Sequence, residues 1–341
     1  MILNDKTTSG NIIGRVLLIE ESGIYVYNQR TERIEINLDE YDPVFLYEML
    51  NAPNIREKII KQAQGNTQIY VNWTAISLLE YMIPSKEEQV KIGEYLHSIS
   101  NLITLHQRKC DETKKLKKYM LQKMFPQNGR KVPEIRFKGF TDEWEQRKFD
   151  DLADYKKGPF GSALKKDMFV PKSDMTVKVY EQQNAINKDW HLERYFITEE
   201  YANKLSGFRV EGGDIIVSCA GTIGETYEIP LDAEPGIINQ ALMRIKVKES
   251  IVNKKMFNIL FTNMIDDFTR VHSNGSAIKN IPPFSDLKPM VVFVPKMDEQ
   301  NKISSYLSNL DHLITLHQHK CEELKKLKKF MLQNMFTQKN K

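Results

Sequence analysis

The sequence has few cysteines and no long apolar run. Its 341 residues include three cysteines, Cys110, Cys219 and Cys321, none in a Cys-x-x-Cys pair, so reduced thiols are expected rather than a disulfide framework. No apolar stretch approaches the ~18 residues of a membrane span, and the N-terminus lacks the layout of a signal peptide. These features predict a cytoplasmic protein without membrane contact.

The sequence also lacks the local signatures of enzymes that act on DNA. There is no Gly-x-x-x-x-Gly-Lys-[Ser/Thr] loop, which argues against an ATP-driven motor. Ile281 separates Asn280 from Pro282 and Pro283, which spoils the Asn-Pro-Pro-aromatic turn of amino-methyltransferases. Residues 323–325 (Glu-Leu-Lys) resemble a nuclease motif without its upstream aspartate and fit a solvated helix face. We expect no catalytic residues, no cofactor and no metal.

Charge of one sign is also not abundant. The formal net charge is +4, with 41% hydrophobic and 28% charged residues, which is typical of a folded globular protein. Nucleic-acid binding would therefore need local basic patches rather than a positive field over the whole chain. The length suits two medium domains.

An internal repeat organises the chain. Residues 84–125 match residues 295–336 at an offset of 211, with 26 of 42 positions identical and no gap. The same offset pairs Asn28 with Asn239, and Gly14 meets Gly224 within a residue. The repeated unit is therefore a domain plus the segment that follows it. The first copy lacks roughly 80 residues that the second copy has upstream of Gly212.

Each repeat ends in a predicted long helix. Apolar residues recur at steps of three and four after Pro84 and Pro295, which predicts a coiled-coil seam best buried by pairing the two helices. His106 with Cys110, and His317 with Cys321, lie on this seam. Core packing is the favoured interpretation, and a shared zinc site is left open. The helical lysines fit a solvated face, with a phosphate or partner contact as the alternative.

Short β-rich runs precede each helix, at 14–20, 24–27, 214–218 and 290–294, together with helical segments at 42–50 and 253–268. This pattern predicts an α+β fold. We expect a partial first domain at 1–83, a helix at 84–125, a linker at 126–132, a complete domain at 133–294 and a helix at 295–338.

Most of the candidate DNA-binding residues lie in the second domain. Lysines flank a Gly-Pro-Phe-Gly-Ser turn at 158–162; lysines contact phosphates, while Asn, Gln and Ser side chains can read base edges. Singly, each fits an ordinary surface or turn residue. The candidates are Lys156, Lys157, Gly161, Ser162, Lys165, Lys166, Gln183, Asn184, Ser218, Thr222, Gln240, Asn274, Ser276 and Lys279, and in the first copy Lys6, Thr8, Gln29 and Arg30.

Taken together, the sequence resembles the specificity subunit of type I restriction-modification enzymes. The resemblance covers essentially the whole chain. It is carried by Glu-Gln at 88–89 and 299–300, Leu-Ile at 102–103 and 313–314, Arg-Phe-Lys-Gly-Phe at 136–140 with Trp144, the 158–162 turn, and the runs at 213–216 and 221–224.

The resemblance implies two target-recognition domains, the first one partial, separated by an antiparallel pair of long helices. It implies a non-catalytic subunit that directs methyltransferase subunits and an ATP-dependent restriction subunit to a bipartite site in double-stranded DNA. The first copy lacks the basic 158–162 turn. The alternative is a coiled-coil interaction protein that binds the methyltransferase without competent DNA recognition, and self-association through the long helices is left open.

Overall fold

The structure is a computed structural model that describes residues 1–4, 6–7, 12–19, 21, 23–65, 69–127, 129–272 and 283–336. The chain divides into two compact units. The first unit comprises Met1–Leu116 and Leu310–Lys341, and the second comprises Lys117–Asn309. Each long helix therefore contributes residues to both units.

Among the described residues, the first unit contains two three-stranded sheets, ordered β3-β1-β4 and β2-β6-β5, three short helices and parts of both long helices. The strands are β1 (Ile2–Asn4), β2 (Lys6–Thr7), β3 (Val16–Leu17), β4 (Thr31–Arg33), β5 (Ala63–Gln64) and β6 (Ile69–Val71). The helices are α1 (Pro43–Asn51), α2 (Pro53–Ile60), α3 (Trp73–Ser77) and α4 (Lys86–Lys123). Leu3, Ile13 and Ile59 lie in its core.

The second unit contains two four-stranded sheets, ordered β10-β9-β14-β11 and β13-β12-β15-β8, and the pair β7-β16. The strands are β7 (Glu145–Lys148), β8 (Ala153–Lys157), β9 (Thr176–Tyr180), β10 (Tyr195–Thr198), β11 (Arg209–Val210), β12 (Ile215–Ser218), β13 (Thr226–Glu228), β14 (Gly236–Ile238), β15 (Leu242–Val247) and β16 (Val291–Val294). The helices are α5 (Phe149–Leu152), α6 (Gln182–Asn187), α7 (Glu199–Lys204), α8 (Lys254–His272) and α9 (Phe284–Leu287). The second long helix, α10 (Met297–Met335), begins in this unit and belongs to the first unit from Leu310 onward. The fold is α+β, as predicted.

The two copies share local geometry as well as sequence. Asn28 Oδ1 accepts from the amide of Arg30 at 2.9 Å, and Asn239 Oδ1 accepts from that of Ala241 at 3.0 Å. Strands β1, β3 and β4 thus correspond to β12, β13 and β15, which have the same pairing order. Within the described residues, the first unit has no counterparts of β7 to β11.

The sequence-based strand at 24–27 is wrong. The described residues from 23 to 30 form no strand, and Tyr25 and Val26 are largely exposed. High β-propensity stabilises a strand only when a neighbouring strand completes its hydrogen bonds. The run predicted at 14–20 is a strand only at β3.

The same hydrogen bonds hold the start of each long helix. Gln89 Nε2 donates to Pro84 O at 3.0 Å, and its Oε1 accepts from the amide of Asp42 at 2.9 Å. Gln300 makes the equivalent bonds to Pro295 O and from Asn253 N, both at 2.9 Å. Because Asp42 and Asn253 in turn bond the first turns of α1 and α8, each glutamine joins a long helix to its own domain.

Within the first unit, α4 and α10 pack antiparallel. Ser100 contacts Lys328, and the Nδ1 atoms of His106 and His317 lie 3.0 Å apart. Residue numbers rise along α4 from 100 to 106 while those of the contacting residues of α10 fall from 328 to 317, so the two helices run antiparallel. The two histidines are repeat counterparts, so a local pseudo-two-fold axis passes between them.

The two helical cysteines follow the same symmetry. The thiol of Cys110 lies 4.0 Å from Ile314 O, and that of Cys321 lies 3.9 Å from Ile103 O. Both are buried in the helix pair, as the core-packing interpretation predicted. Within the described residues, no group of three or more His, Cys, Asp or Glu side chains is placed to hold a metal ion.

Candidate DNA interface

Three loops of the second unit and the start of helix α6 lie at one edge of its sheets. The end of β8 pairs with the start of β15 through Lys157 and Met243, and the end of β12 pairs there through Ser218 and Leu242. Strand β9 ends beside β14, since the amide of Asn239 donates to Tyr180 O at 3.0 Å. The loops at 158–162, 219–223 and 239–241 and the start of α6 at 181–184 therefore gather at this edge, which we call the loop edge.

The Gly-Pro-Phe-Gly-Ser turn is fixed firmly to the loop edge. The amide of Gly158 donates to Leu242 O at 2.8 Å, and a Cβ at Gly158 would lie 1.8 Å from Asn239 O. Only glycine permits this approach. Pro159 is buried, whereas Phe160 is 89% exposed. A recess of about 440 Å³ lies beside the turn, and it is lined by Lys156, Lys157, Gly158, Pro159, Phe160, Gly161, Phe208 and Gln240.

Four exposed lysines surround the turn. Lys156, Lys157, Lys165 and Lys166 are all exposed, and none forms an ion pair with another described residue. The ammonium group of Lys156 lies 4.9 Å from the centre of the Phe208 ring, which holds the charge beside the recess. These cations and the backbone amides of Gly161 and Ser162 suit phosphate oxygens.

Three polar side chains at the loop edge, those of Gln183, Thr222 and Gln240, are exposed. Gln183 Oε1 accepts from Asn187 Nδ2 at 3.1 Å, within the same helix. A Cβ at Gly221 would lie 4.0 Å from Gln182 Nε2, which places the Thr222 loop next to the start of α6. The edge thus combines phosphate-binding and base-reading chemistry.

Two predicted reading residues are structural instead. Asn184 is 2% exposed; its Oδ1 accepts from the amide of Glu181, and its Nδ2 donates to Asp189 O and Leu192 O. Ser218 is fully buried and accepts from the amide of Glu225 at 3.0 Å. Their polar atoms stabilise the loops, so both leave the candidate set.

Other predicted residues do not join the loop edge. Thr8, Asn274, Ser276 and Lys279 lie outside the described residues. Lys6 lies in β2, within the first unit. Gln29 and Arg30 are exposed there, in the turn that corresponds to Gln240 in the second copy.

Burial shifts the pKa values of two groups beneath the loop edge toward their uncharged forms. It raises the pKa of the Cys219 thiol to about 12, so this cysteine is not a nucleophile at neutral pH. Burial also raises the pKa of Glu181, which the charge of Arg194 partly offsets. The positive charge at the edge therefore comes from its exposed lysines.

Sequence reasoning missed two aromatic residues. Phe160 is a large apolar side chain that the turn holds in solvent, and Phe208 lines the same recess. A phenylalanine between Pro and Gly in a basic segment was the available signal for Phe160. Phe208 comes from a distant part of the chain, and no local pattern indicated it.

Residues 6–115 and 141–326 match the family model described as "Type I restriction modification DNA specificity domain". These two ranges include most of both repeats. The chain belongs to this family. It is therefore a DNA sequence-recognition component of a type I restriction-modification system, in a family of non-catalytic specificity subunits.

Individual relatives of this specificity subunit agree. The type I restriction enzyme MjaVIII specificity subunit of Methanocaldococcus jannaschii is 22% identical over 87% of this chain and 70% of its own length. The fold is similar to the type I restriction-modification S subunit from M. genitalium, with a TM-score of 0.54, 14% identity and coverage of 88% and 74% of the two chains. The fold is also similar to a chain from a structure of complex assembly and conformational transition in a type I R-M system, with a TM-score of 0.52 and 16% identity. That match covers 89% of this chain and 73% of the other.

The long helices of this specificity subunit are not membrane segments. Within the described ranges, no helix is both long enough and apolar enough to cross a bilayer.

Proposed function

We propose that the loop edge of the second unit reads one half of a bipartite site in double-stranded DNA. The observation that carries this proposal is the convergence at one edge of three loops and the start of α6, with four exposed lysines and the polar side chains of Gln183, Thr222 and Gln240. Lysines bound to phosphates fix the register, and the amide and hydroxyl groups then discriminate base edges.

The internal duplication supports a second, weaker reading surface in the first unit. The turn with Gln29 and Arg30 repeats the geometry of the turn with Gln240, and Lys6 and Thr8 precede it. Among the described residues, a glycine turn flanked by four exposed lysines is present only in the second unit. We therefore assign DNA binding first to the second unit.

The long helices serve as a spacer between half-sites. At 1.5 Å per residue, the 38 residues of α4 span about 57 Å, or roughly 17 base pairs of rise. In this role the subunit recruits methyltransferase subunits and an ATP-dependent restriction subunit, which supply the chemistry. For this arrangement we propose the domain limits expected from the sequence, with recognition domains at 1–83 and 133–294 and spacer helices at 84–125 and 295–338.

The test is DNA binding by the assembled complex, with Lys157, Lys165 and Lys166 replaced by alanine. Removing one lysine–phosphate pair should reduce the slope of log affinity against log salt by about 0.9, so removing three should reduce it by about 2.7. The matched control replaces three exposed lysines of α4, Lys114, Lys115 and Lys118, and should leave the slope unchanged.

An unchanged slope in the loop-edge variant would overturn the proposed contacts. If the unaltered complex also binds no duplex DNA, the chain acts instead as a coiled-coil interaction protein that binds the methyltransferase. Mapping of genomic methylation with and without the subunit then tests the bipartite site, because its loss should remove one split sequence motif.

A further inference from the structure

In the second copy, the segment 133–148 covers the start of the long helix. Arg136 donates through Nε and a terminal nitrogen to both carboxylate oxygens of Glu299, each at 2.7 Å. The Phe137 ring meets the Tyr306 ring edge-on, with centroids 5.9 Å apart. These contacts anchor the Arg-Phe-Lys-Gly-Phe motif to α10.

Two further contacts extend this cover. The ammonium group of Lys302 lies 4.9 Å from the centre of the Phe140 ring. Strand β7 then pairs antiparallel with β16 over four residues, from Glu145 opposite Val294 to Lys148 opposite Val291. An ion pair, two aromatic contacts and a strand pair thus bind one segment to one face.

The offset of 211 residues locates the same face in the first copy. Glu299, Lys302 and Tyr306 correspond to Glu88, Lys91 and Tyr95, each of the same residue type. The four residues of β16 correspond to residues 80–83. We call Glu88, Lys91, Tyr95 and residues 80–83 the docking face.

The docking face has the orientation of its counterpart because the helix starts match. Gln89 follows Glu88 directly, as Gln300 follows Glu299, and the two glutamines make the same bonds to their domains. The turn α3 that precedes residues 80–83 corresponds to α9, which precedes β16.

The docking face is open within the described residues. Glu88 and Lys91 are exposed, Tyr95 is 46% exposed and Met82 is 64% exposed. By contrast, Glu299 is 1% exposed. Residues 80–83 form no strand, since a strand needs a neighbour to complete its hydrogen bonds. The described residues therefore include the groups that receive the segment in the second copy, but not the segment itself.

We propose that the docking face binds a second polypeptide that carries an Arg-Phe-x-Gly-Phe segment followed by a short strand. The arginine pairs with Glu88, the first phenylalanine packs on Tyr95, and the strand adds to residues 80–83 by β-augmentation. Charge complementarity and the internal counterpart select this occupant. The proposal rests on the repeat and not on any DNA contact.

The probe is a labelled peptide of residues 132–149 of this chain, titrated into the full-length protein and followed by fluorescence anisotropy. We expect saturable binding that weakens roughly thirtyfold or more in Glu88→Arg, because one partner of the buried pair is removed and a like charge replaces it. The matched control, Glu87→Arg, alters the neighbouring glutamate and should change affinity by less than about twofold.

A charge exchange separates recognition from misfolding. A peptide with Arg136→Glu should bind poorly to the unaltered protein and regain affinity for Glu88→Arg. Hydrogen exchange with the unaltered peptide should protect residues 80–95. Absence of saturable binding, equal affinity for Glu88→Arg, or protection confined to residues 291–306 would each overturn the proposal.

Light scattering of the full chain alone tests the other occupant. We expect a mass that Glu88→Arg does not change. A dimer that this substitution dissociates would mean that a second copy supplies the segment, which would overturn assignment to a different polypeptide.

Discussion

The pair of Arg136 and Glu299 should dominate the attachment of segment 133–148. Their side chains are 12% and 1% exposed, and both hydrogen bonds are 2.7 Å long. Replacing Arg136 with methionine would leave a buried carboxylate without its cation, which costs about 3–5 kcal/mol. At 1.4 kcal/mol for each factor of ten, the segment should open roughly 150 to 4,000 times more often.

Hydrogen exchange of the β7 amides measures this opening directly, because the strand pairs only with β16 among the described strands. The matched control is Arg147→Met on β7 itself: its partner Glu145 is 64% exposed and the pair is 2.6 Å long, so the destabilisation should stay below about 1 kcal/mol. A double replacement, Arg136→Met with Glu299→Leu, should recover much of the stability. An effect of Arg136→Met no larger than that of Arg147→Met would refute the reasoning.

Three further predictions concern single sites. Lys328→Met should destabilise the first unit by about 3–5 kcal/mol in urea titration, because Glu48 is 2% exposed and loses its partner at 2.8 Å; a milder effect in the double variant with Glu48→Gln would support this reason. Burial and the charge of His317 lower the pKa of His106 from 6.5. The unfolded chain therefore binds more protons, and stability should fall as pH falls through about 6.5, a dependence that His106→Leu should reduce. Gly224→Ala should cost about 1–3 kcal/mol by thermal unfolding, because φ is +81° and the new Cβ would lie 2.6 Å from a methyl carbon of α8.

The structural features that follow from the internal repeat were predicted correctly from the sequence. The α+β fold, the two long helices and their pairing are confirmed, since apolar spacing and near-identity constrain both helices alike. Asp42 and Asn253 are the first residues of the predicted helical segments at 42–50 and 253–268, and in the structure each lies just before its helix and accepts a hydrogen bond from the first turn. Such features depend on local sequence, which a single chain discloses.

The loop edge was harder to predict because burial is a tertiary property. Asn184 and Ser218 are polar residues in predicted loops, yet both are buried and bond to backbone groups of their own loops. Residues 80–83 fail to form the strand that their counterparts form, because a strand depends on its partner. Composition cannot show which polar side-chain atoms form hydrogen bonds within the folded protein and which stay available to a ligand.

The two copies diverge in a way that separates two roles. Gln89 and Gln300 preserve the joint between helix and domain, and Asn28 and Asn239 preserve one turn of the proposed reading surface. The lysine-flanked turn with Gly158 has a described form only in the second copy. Since the joint recurs where the basic turn does not, attachment of a helix to its domain does not require the basic turn. The helix joint can therefore be conserved between the two copies independently of the loops that we propose for DNA reading.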